Sequence, residues 1–262
     1  MTRRDSTIVT PPTLDELSRL ALELDLTALP QALPDLFRQA EQEGLSYSDF
    51  SRALLGVERD ARRARKIERG FKRSRLRLVE GLDGFDFSTR PQLEPRVVKE
   101  LLNCRFVEER RNIICVGKPG LGKTRVAKAI AQAACLQGYS TLFVVTAEML
   151  EDLHASLADG RFHRTLRRYT KPMVIVADEF GYEPFDKQAA SYLFRVVSQR
   201  HGQGSIILTA NTGFSKWSSF FPSEAHAIAT VDRLLDRATI LRFTGKSFRK
   251  PHDVHGAPLD EE

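Results

Sequence analysis

A glycine-rich stretch near the middle of the chain has the residue types and spacing of a phosphate-binding loop. Gly117, Gly122, Lys123 and Thr124 fit the pattern G-x-x-x-x-G-K-[ST], directly after the apolar run 113–116. Such glycines let successive backbone N–H groups point at phosphate oxygens, and a helix that starts near Lys123 adds its positive end. Lys123 is expected to reach the β- and γ-phosphates, and the Thr124 hydroxyl to bind Mg²⁺. The predicted ATP contacts are Gly117, Lys118, Pro119, Gly120, Leu121, Gly122, Lys123, Thr124 and Arg125.

Two acidic residues stand at the end of a second apolar run, 173–177. If that run is a strand of a parallel sheet, its carboxyl end faces the nucleotide crevice, and successive residues point to opposite faces. Asp178 is then placed to hold Mg²⁺ through its water shell, and Glu179 to polarise the water that attacks the γ-phosphate. Asn211, after the apolar run 205–209, is expected to bond that water or the γ-phosphate rather than serve only as a turn residue.

Two arginines, Arg233 and Arg237, lie on a predicted short helix at 231–237. A guanidinium is planar and always charged, which suits it to contact a γ-phosphate, and a neighbouring subunit can supply such a residue. Surface ion pairs with Asp232 and Asp236 account for the same residues. The sequence leaves open both this choice and which of the two arginines would reach a neighbour's nucleotide.

From residue 112 onward, apolar segments of strand length alternate with helical patterns. The predicted strands are 112–116, 141–145, 173–177, 205–209 and 239–243, and the predicted helices between them are 123–136, 147–158 and 186–200. Several of these strands are nearly continuous apolar runs, as expected when both faces of a sheet are covered. The alternation predicts an α/β domain with a parallel sheet between two layers of helices. Before this domain, Pro95 is expected to begin a helix whose apolar residues continue to Val107.

The chain before this domain carries helical patterns, and the third predicted helix is rich in arginine. Balanced surface helices mix charges of both signs, whereas this helix repeats one sign, and a phosphate backbone would relieve the repulsion by releasing counterions. We interpret it as a DNA-binding helix, with a solvated surface helix as the alternative. The DNA-binding candidates are Arg62, Arg63, Arg65, Lys66, Arg69, Lys72 and Arg73, together with Arg164 and Arg168 from a second basic cluster that faces either DNA or solvent.

Shifts in composition predict three parts of the chain. Residues 1–88 form a helical, basic domain for DNA binding or oligomerisation that ends in the linker 82–88, residues 89–249 form the ATPase domain, and residues 250–262 form a polar, disordered tail. A polar, disordered lead is expected over residues 1–12.

The composition permits a polyanionic partner without proving one. The 262 residues include 40 Lys and Arg against 34 Asp and Glu, a formal net charge of +6. The 3 scattered cysteines favour a reducing cytosol over disulfides or a zinc site, and Cys115, inside an apolar run, is expected in the core. Neither a signal peptide nor a membrane-spanning run is evident, so we expect a bacterial cytoplasmic protein without a membrane partner.

With these features in place, the chain resembles the IstB family, the ATPase helpers of insertion-sequence transposition. That family is related to the helicase loader DnaC and to the initiator branch of AAA+ ATPases. The resemblance covers nearly the whole chain, and the ordered set of segments is more specific than the phosphate loop alone. The segments are Gly44–Tyr47, the Arg-rich helix, Phe85–Phe87, Gly117–Thr124, Asp178–Tyr182, Thr209–Asn211, Phe214–Trp217, Asp232–Leu234 and Gly245–Arg249.

The resemblance implies an AAA+ P-loop NTPase whose five-stranded parallel sheet, of order 5-1-4-3-2, follows a small all-helical domain. It places Asn211 at the sensor-one position, Arg233 at the arginine-finger position acting in trans, and Arg249 at the sensor-two position. It also implies an ATPase, dependent on ATP and Mg²⁺, that assembles as a homo-oligomeric ring or filament on double-stranded DNA and recruits or stimulates a partner transposase.

Three other functions stay open at this point. One is a helicase loader related to DnaC, and another is a small-molecule kinase with a phosphate loop. The third is a DNA-architectural protein in which ATP only holds subunits together.

Overall fold

The computed structural model describes residues 12–76 and 81–247. These residues form two compact units, one ending at Glu68 and the other beginning at Arg69. The predicted lead up to residue 11, the predicted tail 250–262 and Arg249 lie outside the described residues.

The N-terminal unit is helical. Its first helix, α1 (Leu14–Glu23), begins with a capping box: the Thr13 hydroxyl accepts from the Glu16 N–H, and the Glu16 carboxylate accepts from the Thr13 N–H. The second, α2 (Leu29–Glu43), ends at Gly44 in the left-handed conformation. The third, α3 (Tyr47–Ser74), is the arginine-rich helix; its 28 residues give a length of about 42 Å, and those from Arg69 onward belong to the second unit.

The second unit alternates strands with helices. Its elements in chain order are α4 (Pro95–Leu101), α5 (Arg105–Glu108), β1 (Ile113–Gly117), α6 (Lys123–Leu136), β2 (Thr141–Val145), α7 (Thr146–Ala158), α8 (Phe162–Thr170), β3 (Val174–Phe180), α9 (Lys187–Arg200), β4 (Ser205–Ala210), a 3-10 segment (Phe214–Phe220), α10 (Glu224–Leu235) and β5 (Thr239–Phe243).

The five strands form one parallel sheet in the order β2-β3-β4-β1-β5, which confirms the predicted order 5-1-4-3-2. Helices α7, α8, α9 and α10 bury apolar side chains against one face, and α4, α5 and α6 bury theirs against the other. The central strands are therefore nearly continuous apolar runs up to their polar carboxyl ends, as the sequence indicated. Because the strands are parallel, their carboxyl ends meet at one edge, where the phosphate loop follows β1.

The helix predicted from Pro95 through Val107 is wrong in one respect, because the chain forms two short helices there. α4 ends at Leu101, and Cys104, with φ of +59°, adopts the left-handed conformation that separates it from α5. Both helices bury apolar residues, among them Val98 and Phe106. The apolar spacing therefore marked the buried faces correctly but could not show the break, since Cys104 has no sequence signature of a helix stop.

The three cysteines are free and buried. Cys115 lies in β1 with no exposed surface, which confirms its predicted core position. Burial raises the pKa of its thiol to about 12 and that of Cys104 to about 11, so both are protonated at neutral pH. Among residues 12–76 and 81–247, we find no helix with the length and apolar content that crossing a bilayer requires.

Candidate nucleotide-binding site

The phosphate loop connects β1 to α6 and depends on two glycines. A Cβ at Gly117 would lie 2.2 Å from the Phe243 carbonyl oxygen, because β5 runs directly beside the end of β1. Gly122 has φ of +88° and is the N-cap of α6, where an L side chain would strain the backbone. These glycines bring the loop close to the sheet and turn its backbone over the start of α6. The N-terminal N–H groups of that helix are suited to bind an anion.

Lys123 and Thr124 occupy the first turn of α6. Lys123 is buried, and its Nζ donates to the Lys118 carbonyl oxygen at 2.7 Å, so the ammonium lies within the curve of the loop. The Thr124 hydroxyl donates to Asp178 Oδ1 at 2.9 Å. The loop and the first acidic residue, which are far apart in sequence, therefore meet at the carboxyl edge of the sheet.

Asp178 is held from three directions. Its Oδ1 accepts hydrogen bonds from the hydroxyls of Thr124 at 2.9 Å and Thr209 at 2.6 Å. Its main-chain carbonyl accepts from the Thr146 hydroxyl at 2.8 Å. The side chain is 6% exposed. A fixed, nearly buried carboxylate beside a threonine hydroxyl supplies the hard oxygen atoms that Mg²⁺ prefers.

A β-bulge, and not the ordinary alternation of side chains along a strand, separates Glu179 from Asp178. The β3–β4 ladder pairs Ala177 with Leu208 and then Phe180 with Ala210, so β3 carries one extra residue at this point. Glu179 absorbs it with φ of +57°, and its side chain is exposed. The expected separation of the two carboxylates is present, but a bulge at the strand end produces it.

A cavity of about 910 Å³ lies over the loop and brings the predicted groups together. Its lining includes Lys123, Thr124, Glu179 and Asn211. The wall also includes Gly84, Phe85, Tyr182 and Thr209, to which the sequence assigned no role at the nucleotide. Thr209 stood in a segment used for the family resemblance, but nothing in its spacing indicated a role at the site.

Arg125, predicted as a nucleotide contact, holds the segment that forms one wall of this cavity. Its guanidinium donates to the carbonyl oxygens of Asp83 at 2.6 Å and Gly81 at 3.5 Å, and lies 5.9 Å from the centre of the Phe85 ring. Phe85 itself is buried. The predicted linker 82–88 therefore contributes apolar surface beside the phosphate loop.

The two candidate finger arginines lie away from this cavity. Arg233 and Arg237 line a separate groove of about 320 Å³ together with Asn112 and Gly204. Asn112 and Gly204 directly precede β1 and β4, so this groove lies at the amino edge of the sheet, opposite the phosphate loop. Neither arginine contributes to the lining of the nucleotide cavity.

The groove arginines differ in their surroundings. Arg233 Nη1 donates to the Ala229 carbonyl oxygen at 2.6 Å, and its guanidinium lies 5.1 Å from the centre of the Phe194 ring. Arg237 is exposed and has φ of +52°. Asp236 pairs with His201 at 2.8 Å, and the ion pairs considered from sequence, with Asp232 or Asp236 as partner, do not form among the described residues.

Some of the cationic side chains predicted to contact DNA are engaged within the N-terminal unit. Glu58, only 4% exposed, accepts hydrogen bonds from the Ala28 N–H at 2.9 Å and from Arg62 and Arg65 at 2.8 Å each. The Ala28 N–H contributes most to lowering the pKa of Glu58, followed by Arg62. Arg62 also donates to the Asp25 carbonyl oxygen at 3.1 Å. Arg62 and Arg65 therefore stabilise the helical unit.

Other candidates face outward. Along α3 these are Arg63, Lys66, Arg69, Lys72 and Arg73. In the second unit, α8 buries Phe162, Leu166 and Tyr169 against the core. The opposite side of α8 exposes Arg164 and also Arg168, which pairs with Asp152 at 3.2 Å.

Comparison with known proteins connects these features to one family. The sequence model of the family described as IstB-like ATP binding protein matches residues 19–256. The ATP-binding protein of insertion sequence IS21 from Pseudomonas aeruginosa is 35% identical over 236 residues, which cover 90% of this chain and 89% of that protein. The corresponding protein of IS5376 from Geobacillus stearothermophilus is 34% identical over 226 residues, covering 86% and 90%.

Two solved structures share the fold. DnaI has a TM-score of 0.51 and 21% identity, over 57% of this chain and 84% of DnaI. AMPPCP-bound DnaA from Aquifex aeolicus has a TM-score of 0.54 and 17% identity, over 65% of this chain and 51% of that one. The sheet order and the phosphate loop are those of the AAA+ fold. Together with the sequence matches, this shows that the chain belongs to the family of IstB-like ATP-binding proteins found in insertion sequences.

Proposed function

We propose that this chain is an ATP-dependent transposition helper. In this proposal it binds ATP with Mg²⁺, hydrolyses it, assembles with further copies of itself on double-stranded DNA, and recruits or stimulates a partner transposase. Its family membership, among proteins named for insertion sequences and ATP binding, supports the biological setting. One observation carries the chemistry: Lys123, Thr124, Glu179 and Asn211 all line a single cavity above the phosphate loop.

The side chains at the cavity fit a triphosphate with Mg²⁺. Lys123 supplies a positive charge inside the loop, and the turn at Gly122 directs the first N–H groups of α6 toward bound phosphates. The Thr124 hydroxyl and the Asp178 carboxylate would hold the ion, directly or through water. The bound ion would neutralise charge on the β- and γ-phosphates.

Hydrolysis requires a base, and Glu179 is the exposed carboxylate in the cavity. In the proposed step, Glu179 accepts a proton from a water molecule while the water oxygen bonds to the γ-phosphorus. The bond from the γ-phosphorus to the β–γ bridging oxygen breaks, and its electron pair stays on ADP. Asn211, in the same lining, is placed to orient the water or the γ-phosphate.

A neighbouring copy would complete the site. Arg233 and Arg237 lie at the amino edge of the sheet, whereas the nucleotide cavity is at the carboxyl edge. An arginine in that position is suited to reach the nucleotide of an adjoining copy rather than its own, which would couple hydrolysis to assembly. Arg233 is the family-based candidate, while Arg237 is the more exposed residue of the two.

Contact with DNA would come from the exposed cations of α3 and α8. Arg63 and Lys66 on α3, and Arg164 on α8, project from helix faces that do not pack into a core. Binding through such groups is to phosphates, so it would be sensitive to salt and weakly selective for sequence. Arg62 and Arg65 would contribute less, because Glu58 already binds both.

Paired variants test the nucleotide chemistry. Lys123→Ala should abolish ATP binding measured by calorimetry, with the exposed Lys99→Ala as the matched control. Glu179→Gln should bind ATP normally but hydrolyse it at least ~100-fold more slowly, as expected for loss of a general base. Glu183→Gln, exposed and nearby in sequence, is its control. Turnover in Glu179→Gln equal to wild type would remove Glu179 from the mechanism.

Mixing two inactive variants tests the contribution of a neighbour. Lys123→Ala lacks nucleotide binding but keeps its arginines, whereas Arg233→Ala keeps the nucleotide site. If Arg233 acts in trans, the mixture should hydrolyse ATP although neither variant does so alone, and the same test is run with Arg237→Ala. A mixture as inactive as its components, for both arginines, would contradict supply by a neighbouring copy.

Assembly and DNA binding have direct measurements. Negative-stain microscopy with ATP and duplex DNA should show oligomers, and a protein that stays monomeric would count against the proposal. In salt titrations, replacing both Arg63 and Lys66 by alanine should lower the slope of log K against log salt by about 2, one unit for each phosphate contact. The double variant of Arg19 and Arg38, exposed on α1 and α2, should leave the slope unchanged.

A further inference from the structure

The end of β3 contains one more residue than β4 opposite it, and a single side chain spans the mismatch. Ala177 pairs with Leu208 and Phe180 with Ala210, so Asp178 and Glu179 together face Thr209. Thr209 is 2% exposed, at the base of the nucleotide cavity. Its hydroxyl contacts both acidic residues, which makes it the cross-strand link of the bulge.

The hydroxyl of Thr209 uses its donor and an acceptor for two different partners. It donates to Asp178 Oδ1 at 2.6 Å and accepts the Glu179 N–H at 3.1 Å. An ionised carboxylate only accepts, so the proton of this bond belongs to threonine. The Thr124 hydroxyl donates to the same Oδ1, and among the described residues no hydrogen bond reaches Oδ2. Two donors thus fix one oxygen of Asp178 and leave the other for a ligand.

The bond to the Glu179 N–H has a separate effect. With φ of +57°, Glu179 is in a conformation that a side-chain-bearing residue adopts only when its surroundings enforce it. Its N–H points back to Thr209, so the main chain is fixed immediately before the side chain that enters the cavity. One hydroxyl therefore orients the carboxylate of Asp178 and the backbone of Glu179 at once.

We propose that Thr209 is a positioning residue for ATP hydrolysis: it sets the placement of Asp178 toward Mg²⁺ and of Glu179 toward the attacking water. This inference rests on the proposed function of the site and adds a residue that acts through its two acidic neighbours. A residue of this kind influences the metal and the catalytic step more than it influences nucleotide binding through the loop.

Valine and serine are close to threonine in shape, and replacing Thr209 by each of them tests this role. Thr209→Val keeps the branched volume but removes the hydroxyl, so Asp178 loses one donor and the Glu179 N–H loses its acceptor. Thr209→Ser keeps the hydroxyl and loses only a methyl group. Thr230→Val is the matched control, because Thr230 is equally buried on α10 and its hydroxyl has no hydrogen-bond partner among the described residues.

The experiment measures steady-state ATP hydrolysis at varied ATP and varied Mg²⁺, with a thermal melt of each variant. Thr209→Val should lower kcat by about 10–100-fold and raise the Mg²⁺ concentration needed for half-maximal rate, with KM for ATP changed by less than about threefold. Thr209→Ser should recover most of the rate. Thr230→Val should match wild type.

The outcomes separate failure of this inference from failure of the proposed function. Wild type that hydrolyses ATP, with Thr209→Val equal to it in kcat and in Mg²⁺ dependence, would overturn the role of Thr209 and leave the ATPase proposal intact. A loss in Thr209→Ser as large as in Thr209→Val would assign the effect to packing and would also overturn it. If wild type does not hydrolyse ATP, or if Lys123→Ala hydrolyses it as fast as wild type, both the proposed function and this inference are refuted.

Discussion

Replacement of one buried arginine is predicted to destabilise the second unit strongly. Arg200, the last residue of α9, is fully buried. Its guanidinium donates to five main-chain carbonyl oxygens, those of Tyr169, Thr170, Pro172, Met173 and Ser205, at 2.7–3.2 Å. It thereby joins the connection from α8 to β3 with the first residue of β4. Burial lowers the pKa of Arg200 to about 9, so it stays charged at neutral pH.

The magnitude follows from what Arg200→Met would leave behind. Each hydrogen bond from a charged donor is worth about 1.5–3 kcal/mol, but the five are not additive, and removal of a buried charge also relieves its desolvation cost. The Met173 carbonyl oxygen keeps a partner, because it also accepts from the Ser205 N–H at 2.8 Å. Each buried carbonyl oxygen left without a donor costs about 1–3 kcal/mol, and with partial compensation among the acceptors the total loss is about 3–5 kcal/mol. In a unit of this size that corresponds to a fall in Tm of about 10 °C.

The assay is thermal unfolding followed by circular dichroism, with Arg242→Met as control. Arg242 lies on β5 and is exposed, so its replacement tests the same change of side chain without buried acceptors. Because Arg200 is charged in both the folded and the unfolded protein around neutrality, the stability difference between wild type and Arg200→Met should not vary with pH in that range. The reasoning would be refuted if Arg200→Met lowered Tm by less than about 3 °C, or if Arg200→Met and Arg242→Met lowered it equally.

Three further changes follow from the contacts described above. Gly117→Ala should lower Tm and abolish ATP binding, because its Cβ would meet the Phe243 carbonyl oxygen; Gly213→Ala, with no atom within 4 Å of its added Cβ, is the control in melts and calorimetry. Arg125→Ala should weaken ATP but not inorganic tripolyphosphate in calorimetry, since Arg125 holds the wall beside the loop; equal loss of both would instead place Arg125 on the phosphates. Hydrogen bonds lower the pKa of Glu58, so its contribution to stability is present above the ordinary glutamate pKa and is lost as pH falls through the lowered value. Acid melts should therefore show less loss in Glu58→Gln, which lacks this titration, than in wild type.

The sequence predicted the phosphate loop and the strands because each of them is defined by a short, contiguous pattern of residues. Gly117–Thr124 is contiguous, and each strand is an apolar run bounded by polar residues, so the βαβ alternation followed without knowledge of contacts. The family resemblance added the strand order, which periodicity alone does not give. The structure confirms the order.

The parts of the site that the sequence missed depend on contacts between distant segments. Thr209 contacts Asp178 across the sheet, and this contact depends on a one-residue register difference that no local pattern encodes. Phe85 reaches the cavity wall because Arg125 binds the carbonyl groups that precede it. Likewise, the charge run of α3 could not reveal that Glu58 is buried and binds two of its arginines.

The position of the acidic pair is set by β4 as much as by β3. At the amino edge, Arg200 joins the residues before β3 to Ser205 of β4, and the ladder then runs in register from Val174 to Ala177. At the carboxyl edge, the register shifts by one residue, and the Thr209 hydroxyl of β4 bonds the Asp178 carboxylate and the Glu179 N–H within the resulting bulge. A strand anchored at its amino end and in register over four residues can accommodate the extra residue only near its carboxyl end. The bulge therefore falls at Asp178 and Glu179, where one carboxylate must face inward to Thr124 and the other outward into the cavity.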